Sequence, residues 1–260
     1  MGDTAGAALR EVLAPNPGPL TLDGTRTYVV GRRRVVVIDP GPAARVHLDA
    51  VVAAVGAAQV TAVAVTHDHP DHAAGGEALA ARLGAPLRSA AAGTLADGDT
   101  LETDAGALLA VATPGHTPDH VAFHWPAGGA VFVGDLMLGG MDTALVAAPE
   151  GDLGAYLASL ARIRALGARV LYPAHGPAFE DADAALDAYL RHRQDRERQV
   201  LAALEAGAAS LRDLVDAVYG PGLAAALRGA AEGAVVAYLE HLAAAGRVVR
   251  EADGRWRLAG

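Results

Sequence analysis

Four residues of metal-ligand type fall within six positions of this chain, in Thr66-His67-Asp68-His69-Pro70-Asp71-His72. A His-x-His pair on a loop lets two imidazoles converge on one ion, and Asp71 with His72 can face a second ion close by. Neutral imidazole and carboxylate are natural zinc ligands, at roughly 2.0–2.2 Å. Three further fragments each place a ligand at the end of an apolar run: Thr113-Pro114-Gly115-His116, Val133-Gly134-Asp135 and Pro173-Ala174-His175-Gly176. Five of the ten histidines lie in these four fragments, and purely structural roles would need five unrelated explanations. The expected metal ligands are therefore His67, His69, Asp71, His72, His116, Asp135 and His175. Zn2+ is the expected ion, two per chain, and iron or manganese also tolerate a His/Asp site.

The elements that must carry these ligands are legible around them. Thr27–Val30 and Val35–Ile38 read as strands, closed by Asp39-Pro40-Gly41. Ala43–Val55 has apolar residues at helical spacing, and Val60–Thr66 is a buried-type strand running straight into HDHPDH. Ala73–Leu83 reads as one helix, residues 86–134 as several short strands, Leu153–Leu166 as a helix and Val170–Tyr172 as a strand. Alternating strands and helices with polar clusters at strand ends predict a layered α/β domain whose site lies on one edge of its sheets.

Near residue 181 the pattern changes. DADAALDAYLRHRQDRERQVLAALEAG is a long amphipathic helix pattern, followed by SLRDLVDAVYG, AEGAVVAYLEHLAAAG and a hairpin-like RVVREADGRWRLAG turning at Ala252-Asp253-Gly254. Helix, helix and hairpin outline a winged helix, expected to pack on the main domain. The expected division is residues 1–180 for the catalytic domain and 181–260 for the long helix plus winged-helix-like domain.

Composition removes several chemistries. All 21 basic residues are arginine, so Schiff-base catalysis and a P-loop lysine are excluded. With no cysteine there is no disulfide, no thiolate ligand and no thiol nucleophile, leaving hydroxyl, carboxylate or metal-bound water. Apolar residues make up 52% and aromatics only 4%, so Ala, Val and Leu must fill the core. The start of the chain has no apolar run of signal-peptide type and no segment forms a clean membrane span, so a cytoplasmic protein without a membrane partner is expected. A formal net charge of −9 disfavours general attraction to nucleic acid.

HDHPDH followed by single His, Asp and His fragments resembles the metallo-β-lactamase superfamily over roughly residues 20–180. That resemblance implies an αββα sandwich, with one zinc on His67, His69 and His116 and the other on Asp71, His72 and His175. It also implies that Asp135 bridges the two ions, as would a water or hydroxide. Two dications depress the pKa of a bound water toward about 7. Asp71 would orient the resulting hydroxide against a substrate carbonyl or phosphoryl group, giving Asp71 and Asp135 catalytic as well as ligand roles.

GTRTYVVG, GDLMLGG after Asp135, YPAHGP and YLRHRQDRERQVLAAL with the winged-helix tail are similar to the β-lactamase-like protein 2 family over almost the whole chain. Secreted β-lactamases usually carry a signal peptide, and many place a cysteine in the second site; this chain shows neither. Members of the resembled family are described as thioesterases, hydroxyacylglutathione-hydrolase-like enzymes or endoribonucleases. A small acyl thioester or ester is the preferred substrate; single-stranded RNA is the alternative, disfavoured by scarce aromatics and negative charge. A DNA-binding regulator with a vestigial metal site is a third reading. The six arginines of the tail are matched by six acids, and the candidate recognition helix Val235–Ala245 offers little to grip phosphate.

Smaller features carry two readings each. His120, four residues after His116, is a candidate catalytic or supporting residue, or an ordinary strand residue. Asp39 is either a hydrogen-bond partner for a ligand histidine or a turn former. Arg191, His192 and Arg193 could meet an anionic substrate end, but Arg191–Asp195 and Arg193–Glu197 at i,i+4 favour a solvated helix face. Gly139-Gly140 is a candidate pocket wall.

Overall fold

The computed structural model describes residues 8–141 and 143–259. Two mixed sheets form the centre. The first runs in the order β1 (Leu9–Leu13), β2 (Arg26–Val30), β3 (Arg34–Ile38), β4 (Gln59–Ala64), β5 (Leu87–Arg88). The second contains β6 (Thr100–Leu101), β7 (Leu108–Ala112), β8 (Val121–Trp125), β9 (Ala130–Gly134) and β10 (Val170–Pro173), paired in that order.

Period-two alternation explains the layering. In β3, Val36 and Ile38 face the opposing sheet and pack with Tyr28, Phe123 and Phe132, whereas Val35 and Val37 face outward into a separate cluster. That outer cluster is covered by α1 (Arg45–Val55) and α3 (Gly76–Leu83), through Leu48, Val51, Val55 and Leu79. On the other side, α4 (Leu153–Ala165) and α5 (Ala182–Glu205) cover the second sheet, giving the αββα sandwich expected from the sequence.

A short helix α2 (Pro70–Ala73) stands apart from α3, where the sequence pattern suggests one helix from Ala73. The reason is Gly75: its N–H leaves the helical ladder to donate to the Gly41 carbonyl at 2.9 Å. A Cβ there would meet that carbonyl at 3.0 Å, so only a glycine lets the two loops touch. Strand β1 has no counterpart in the sequence reading. It is an edge strand, and its Arg10 and Glu11 interrupt the apolar pattern.

The tail folds as α6 (Leu211–Tyr219), α7 (Ala225–Ala244) and a hairpin of β11 (Val248–Arg250) with β12 (Trp256–Leu258). Each of the helices α4, α5 and α6 begins with a side-chain cap, from Asp152, Asp181 and Ser210 respectively. Val131, Leu160, Leu186, Leu214, Val235 and Trp256 belong to one continuous core, so the winged-helix module is welded to the sandwich rather than tethered.

The expected solvated face on α5 is corrected by the structure at Arg193. It is 5% exposed, donates to the Ala144 carbonyl at 2.5 Å and stacks over Tyr156 at 4.6 Å. Its expected partner Glu197 pairs with Arg247, and Asp195 pairs with Arg198. An i,i+4 pattern does not say which helix face the tertiary structure covers. Among the described residues no helix is long and apolar enough to cross a membrane.

Candidate metal centre

All seven expected ligands converge at one end of the sandwich, where β4, β7, β9 and β10 run out into loops. They form two groups whose potential ligand atoms lie within 4.8 Å of one another: His67, His69, His116 and Asp135 in one, Asp71, His72 and His175 in the other.

The orientation of each imidazole follows from what its outer nitrogen meets. His116 Nδ1 lies 2.8 Å from the Leu145 carbonyl and His175 Nδ1 3.1 Å from the Gly24 carbonyl. His72 Nδ1 lies 3.0 Å from Asp39 Oδ2, and His69 Nε2 3.3 Å from Glu150 Oε2. Carbonyl and carboxylate oxygens only accept, so each of these nitrogens carries the proton. The Thr66 hydroxyl donates to Asp39 Oδ2, which leaves it as acceptor for His67 Nδ1–H at 3.1 Å. All five inner nitrogens therefore point at shared positions, where each neutral ring offers a lone pair.

Those points demand positive charge. His67 Nε2 and His69 Nδ1 are 2.9 Å apart, and His116 Nε2 is 3.2 Å from His69 Nδ1. Lone pairs at such distances repel unless a cation or proton lies between them. In the second group, Asp71 Oδ2 lies 3.1 Å from His175 Nε2 and 3.4 Å from His72 Nε2. Asp135 spans the groups: Oδ1 is 3.3 Å from His175 Nε2 and Oδ2 is 3.7 Å from His116 Nε2. His72 Nε2, His175 Nε2 and Asp135 Oδ1 are buried with no hydrogen-bond partner among the described residues, although such atoms are normally satisfied. The donor set fits two divalent cations.

Protonation energetics differ between the groups. Burial and the neighbouring imidazoles His72, His120, His116 and His69 hold the pKa of His67 well below its ordinary value. Burial likewise lowers that of His116. Burial also opposes charge on His72 and His175, yet carboxylates outweigh it: Asp135 and Asp39 hold His72 well above the usual range, and Asp71 and Asp135 raise His175. Asp71 and Asp135 themselves are desolvated, but their histidine neighbours keep both well below the usual carboxylate range.

Supporting residues arrive from several loops. Asp39, at φ 51° just beyond β3, accepts from the Thr66 N–H and hydroxyl as well as from His72, so it fixes both ends of the HDHPDH entry. The Asp39 reading as a histidine partner is thus the one realised. His120 lies beneath the centre, 1% exposed. Its Nε2 accepts from the Asp135 N–H at 3.2 Å, so its Nδ1–H faces Thr113 Oγ1 at 2.8 Å. Burial pushes its pKa down to about 3, keeping it neutral. His120 thus sits buried behind Asp135, with both ring nitrogens in hydrogen bonds. Gly134 (φ 50°) makes room for this: a Cβ would stand 2.7 Å from His120 Nε2.

A cavity of about 400 Å³ opens over the metal ligands, lined by His69, Asp71, His116 and Asp135 and walled by Leu20, Leu138 and Leu145. Sequence reading missed Leu20, Leu145 and Glu150, which carry no motif and meet the site only through folding. Of the two glycines proposed as wall, Gly139 instead packs against Gly176 and Pro177, its N–H donating to the His175 carbonyl at 2.7 Å.

Comparison with known proteins agrees with this geometry. Residues 20–107 and 92–175 match the family described as metallo-beta-lactamase superfamily, and residues 210–256 match the beta-lactamase associated winged helix domain. An atrochrysone carboxyl ACP thioesterase from Aspergillus fumigatus is 33% identical over 234 residues, covering 80% of this chain and 72% of that protein. A beta-lactamase-like protein 2 homolog from Caenorhabditis elegans is 31% identical over 215 residues, 76% of this chain and 71% of its own length. The crystal structure of a metallo-beta-lactamase family protein from Thermus thermophilus superposes with a TM-score of 0.76 at 24% identity, over 96% of this chain and 98% of that one.

Proposed function

The chain belongs to the metallo-β-lactamase superfamily and carries its associated winged-helix domain, and from that premise we propose that it hydrolyses small acyl thioesters or esters at a two-zinc centre. The observation that carries this is the set of five inward ring nitrogens, each oriented by an acceptor on the opposite ring nitrogen. His67, His69 and His116 would hold one ion, Asp71, His72 and His175 the other, and Asp135 both. Bound there, the ions would supply Lewis-acid polarisation of the substrate carbonyl and hydroxide near neutral pH.

The protein's own groups account for the rest. Asp71 is ionised and part exposed to the cavity, so its carboxylate can accept a hydrogen bond from the attacking water and aim it. Leu20, Leu138 and Leu145 exclude bulk water and strengthen every electrostatic contact inside. The Thr21 hydroxyl beside them is committed to the Asn16 carbonyl at 2.6 Å, so no side-chain nucleophile competes. The thioesterase named among the relatives supports an acyl substrate.

RNA is the weaker reading, because no arginine lines the cavity over the ligands among the described residues. DNA binding is weaker still. Ala231, Ala234, Val235, Tyr238, Leu239 and Leu242 of α7 are buried, leaving little of that helix free for a groove. Arg228, Arg247 and Arg257 are paired with acids.

Initial rates on an acyl thioester and a fluorescently quenched single-stranded RNA test the proposal, comparing zinc-loaded wild type with Asp71→Ala. Thioester turnover that the variant loses is expected. RNA cleavage alone, lost likewise, overturns the acyl reading.

A further inference from the structure

A second cavity, of about 280 Å³, lies under the loop 138–146, between α5 and α7. Its lining is mainly apolar, from Met141, Val146, Leu223 and Ala234 among others, with His192, Arg193, Arg196 and Tyr238 as its polar groups. Three residues, Leu20, Leu138 and Leu145, line both this cavity and the one over the metal ligands, so the two adjoin.

The rim gives an independent sign. Only six large apolar side chains are strongly exposed among the described residues, and three of them stand on this cavity: Leu20 at 62%, Met141 at 45% and Leu227 at 47%. Apolar surface left open in one place marks a binding site rather than chance exposure.

The lining that the two cavities share is held in place by hydrogen bonds. Tyr189 Oη lies 2.9 Å from the Leu138 carbonyl, to which it donates, and Arg193 holds Ala144. The Leu145 carbonyl orients His116. Arg196, on the same lining, is spent on the Val218 carbonyl at 3.0 Å and on stacking over Tyr219 at 4.4 Å. No charge is thereby presented for a polyanion, and the lining suits a hydrocarbon or ring system. Volumes of 280 and 400 Å³ lie near or within the range of roughly 300–1,000 Å³ usual for small-molecule sites.

We infer that the cavity between α5 and α7 holds the apolar acyl body of the substrate whose carbonyl is cleaved at the metal centre, making the enzyme selective for long or bulky acyl groups over acetyl. This rests on the thioester reading above. It assigns the winged-helix module a role as one wall of the substrate site.

The test uses the full metal-loaded chain and a series of thioesters of one simple thiol, from acetyl to decanoyl. Each buried methylene should raise kcat/KM about three- to fourfold. Leu227→Glu at the exposed rim, and Ala230→Phe on the half-buried lining, should each lower the decanoyl-to-acetyl ratio of kcat/KM at least tenfold. Cleavage of every thioester with a flat chain-length profile, or a steep profile that neither variant alters, overturns the inference while leaving the hydrolase reading intact. If no thioester is cleaved, the hydrolase reading fails, and calorimetric titration with decan-1-ol decides the cavity by itself. Binding abolished by Ala230→Phe supports an apolar-chain site; absence of binding to wild type overturns it.

Discussion

The two ligand groups use the same residue types in different surroundings. His69 stands on the open side, its side chain 35% exposed and its outer nitrogen on an exposed glutamate, whereas its group-mate His67 is buried. His72 and His175 are 0% and 1% exposed, and their outer nitrogens meet a buried carboxylate and a backbone carbonyl. One group is dominated by close imidazole–imidazole contacts; in the other, imidazoles lie against carboxylates. The lesson is that matching ligands need not give matching sites. His72 and His175 are built into the fold, whereas His69 can be perturbed without touching the core.

The largest effect should come from the residue the groups share. Asp135→Ala is expected to reduce zinc content at both groups and to lower turnover by more than about a hundredfold. Plasma emission spectrometry with initial rates checks this, and two zinc ions retained at full activity would break the bridging role.

Next in size is a contrast in stability. In metal-free protein, His72→Ala removes the buried imidazole that Asp39 and Asp135 both face and should cost about 3 kcal/mol, whereas exposed His69→Ala should cost less than about 1 kcal/mol. Urea unfolding measures both, and equal losses would erase the distinction between the groups.

The outer nitrogens sharpen it further. Asp39→Asn should weaken zinc binding at the second group about 10- to 100-fold, while Glu150→Gln, acting at 3.3 Å in an exposed position, should change the first by only a few-fold. Competition with a chelating dye resolves the two affinities, and a larger effect from Glu150→Gln would reverse the assignment.

The smallest effect lies at the turn beneath His175. Hydrogen bonds from Arg26 lower the Asp23 pKa to about 2, and Asp23 also accepts from the Gly176 N–H. A depressed carboxylate stabilises the fold above its unfolded pKa and loses that contribution as pH falls through the folded value. Asp23 is half exposed, so Asp23→Asn should cost less than about 1 kcal/mol at pH 7 after solvent screening. The gap between variant and wild type should close as pH falls from about 4 to about 2. A gap that persists below that range would assign the effect to turn geometry instead of charge.

Much of this was legible from residue order because covalent spacing does the work. His67, His69, Asp71 and His72 are neighbours on one loop and must share a locality whatever the rest of the chain does. The unbroken apolar run Val35–Ile38 likewise fixed a strand with two apolar faces, and the tail pattern fixed two helices and a hairpin. Helix breaks were harder: Gly75 leaves the helix for the Gly41 carbonyl, a partner 34 positions away that local periodicity cannot register.

The sequence by itself determined which atoms could bind metal, that no thiol or amine nucleophile exists, and that a small helical module follows the sandwich. Only the tertiary structure decided what each imidazole's outer nitrogen meets, that Arg193 is buried against Tyr156, and that Leu20, Leu138 and Leu145 line two adjoining cavities. Ligand identity is a property of side-chain chemistry, fixed when the chain is made. Which nitrogen carries the proton, and what shape the apolar space takes, depend on carbonyls and side chains brought from distant positions, and these exist only once the loops have closed.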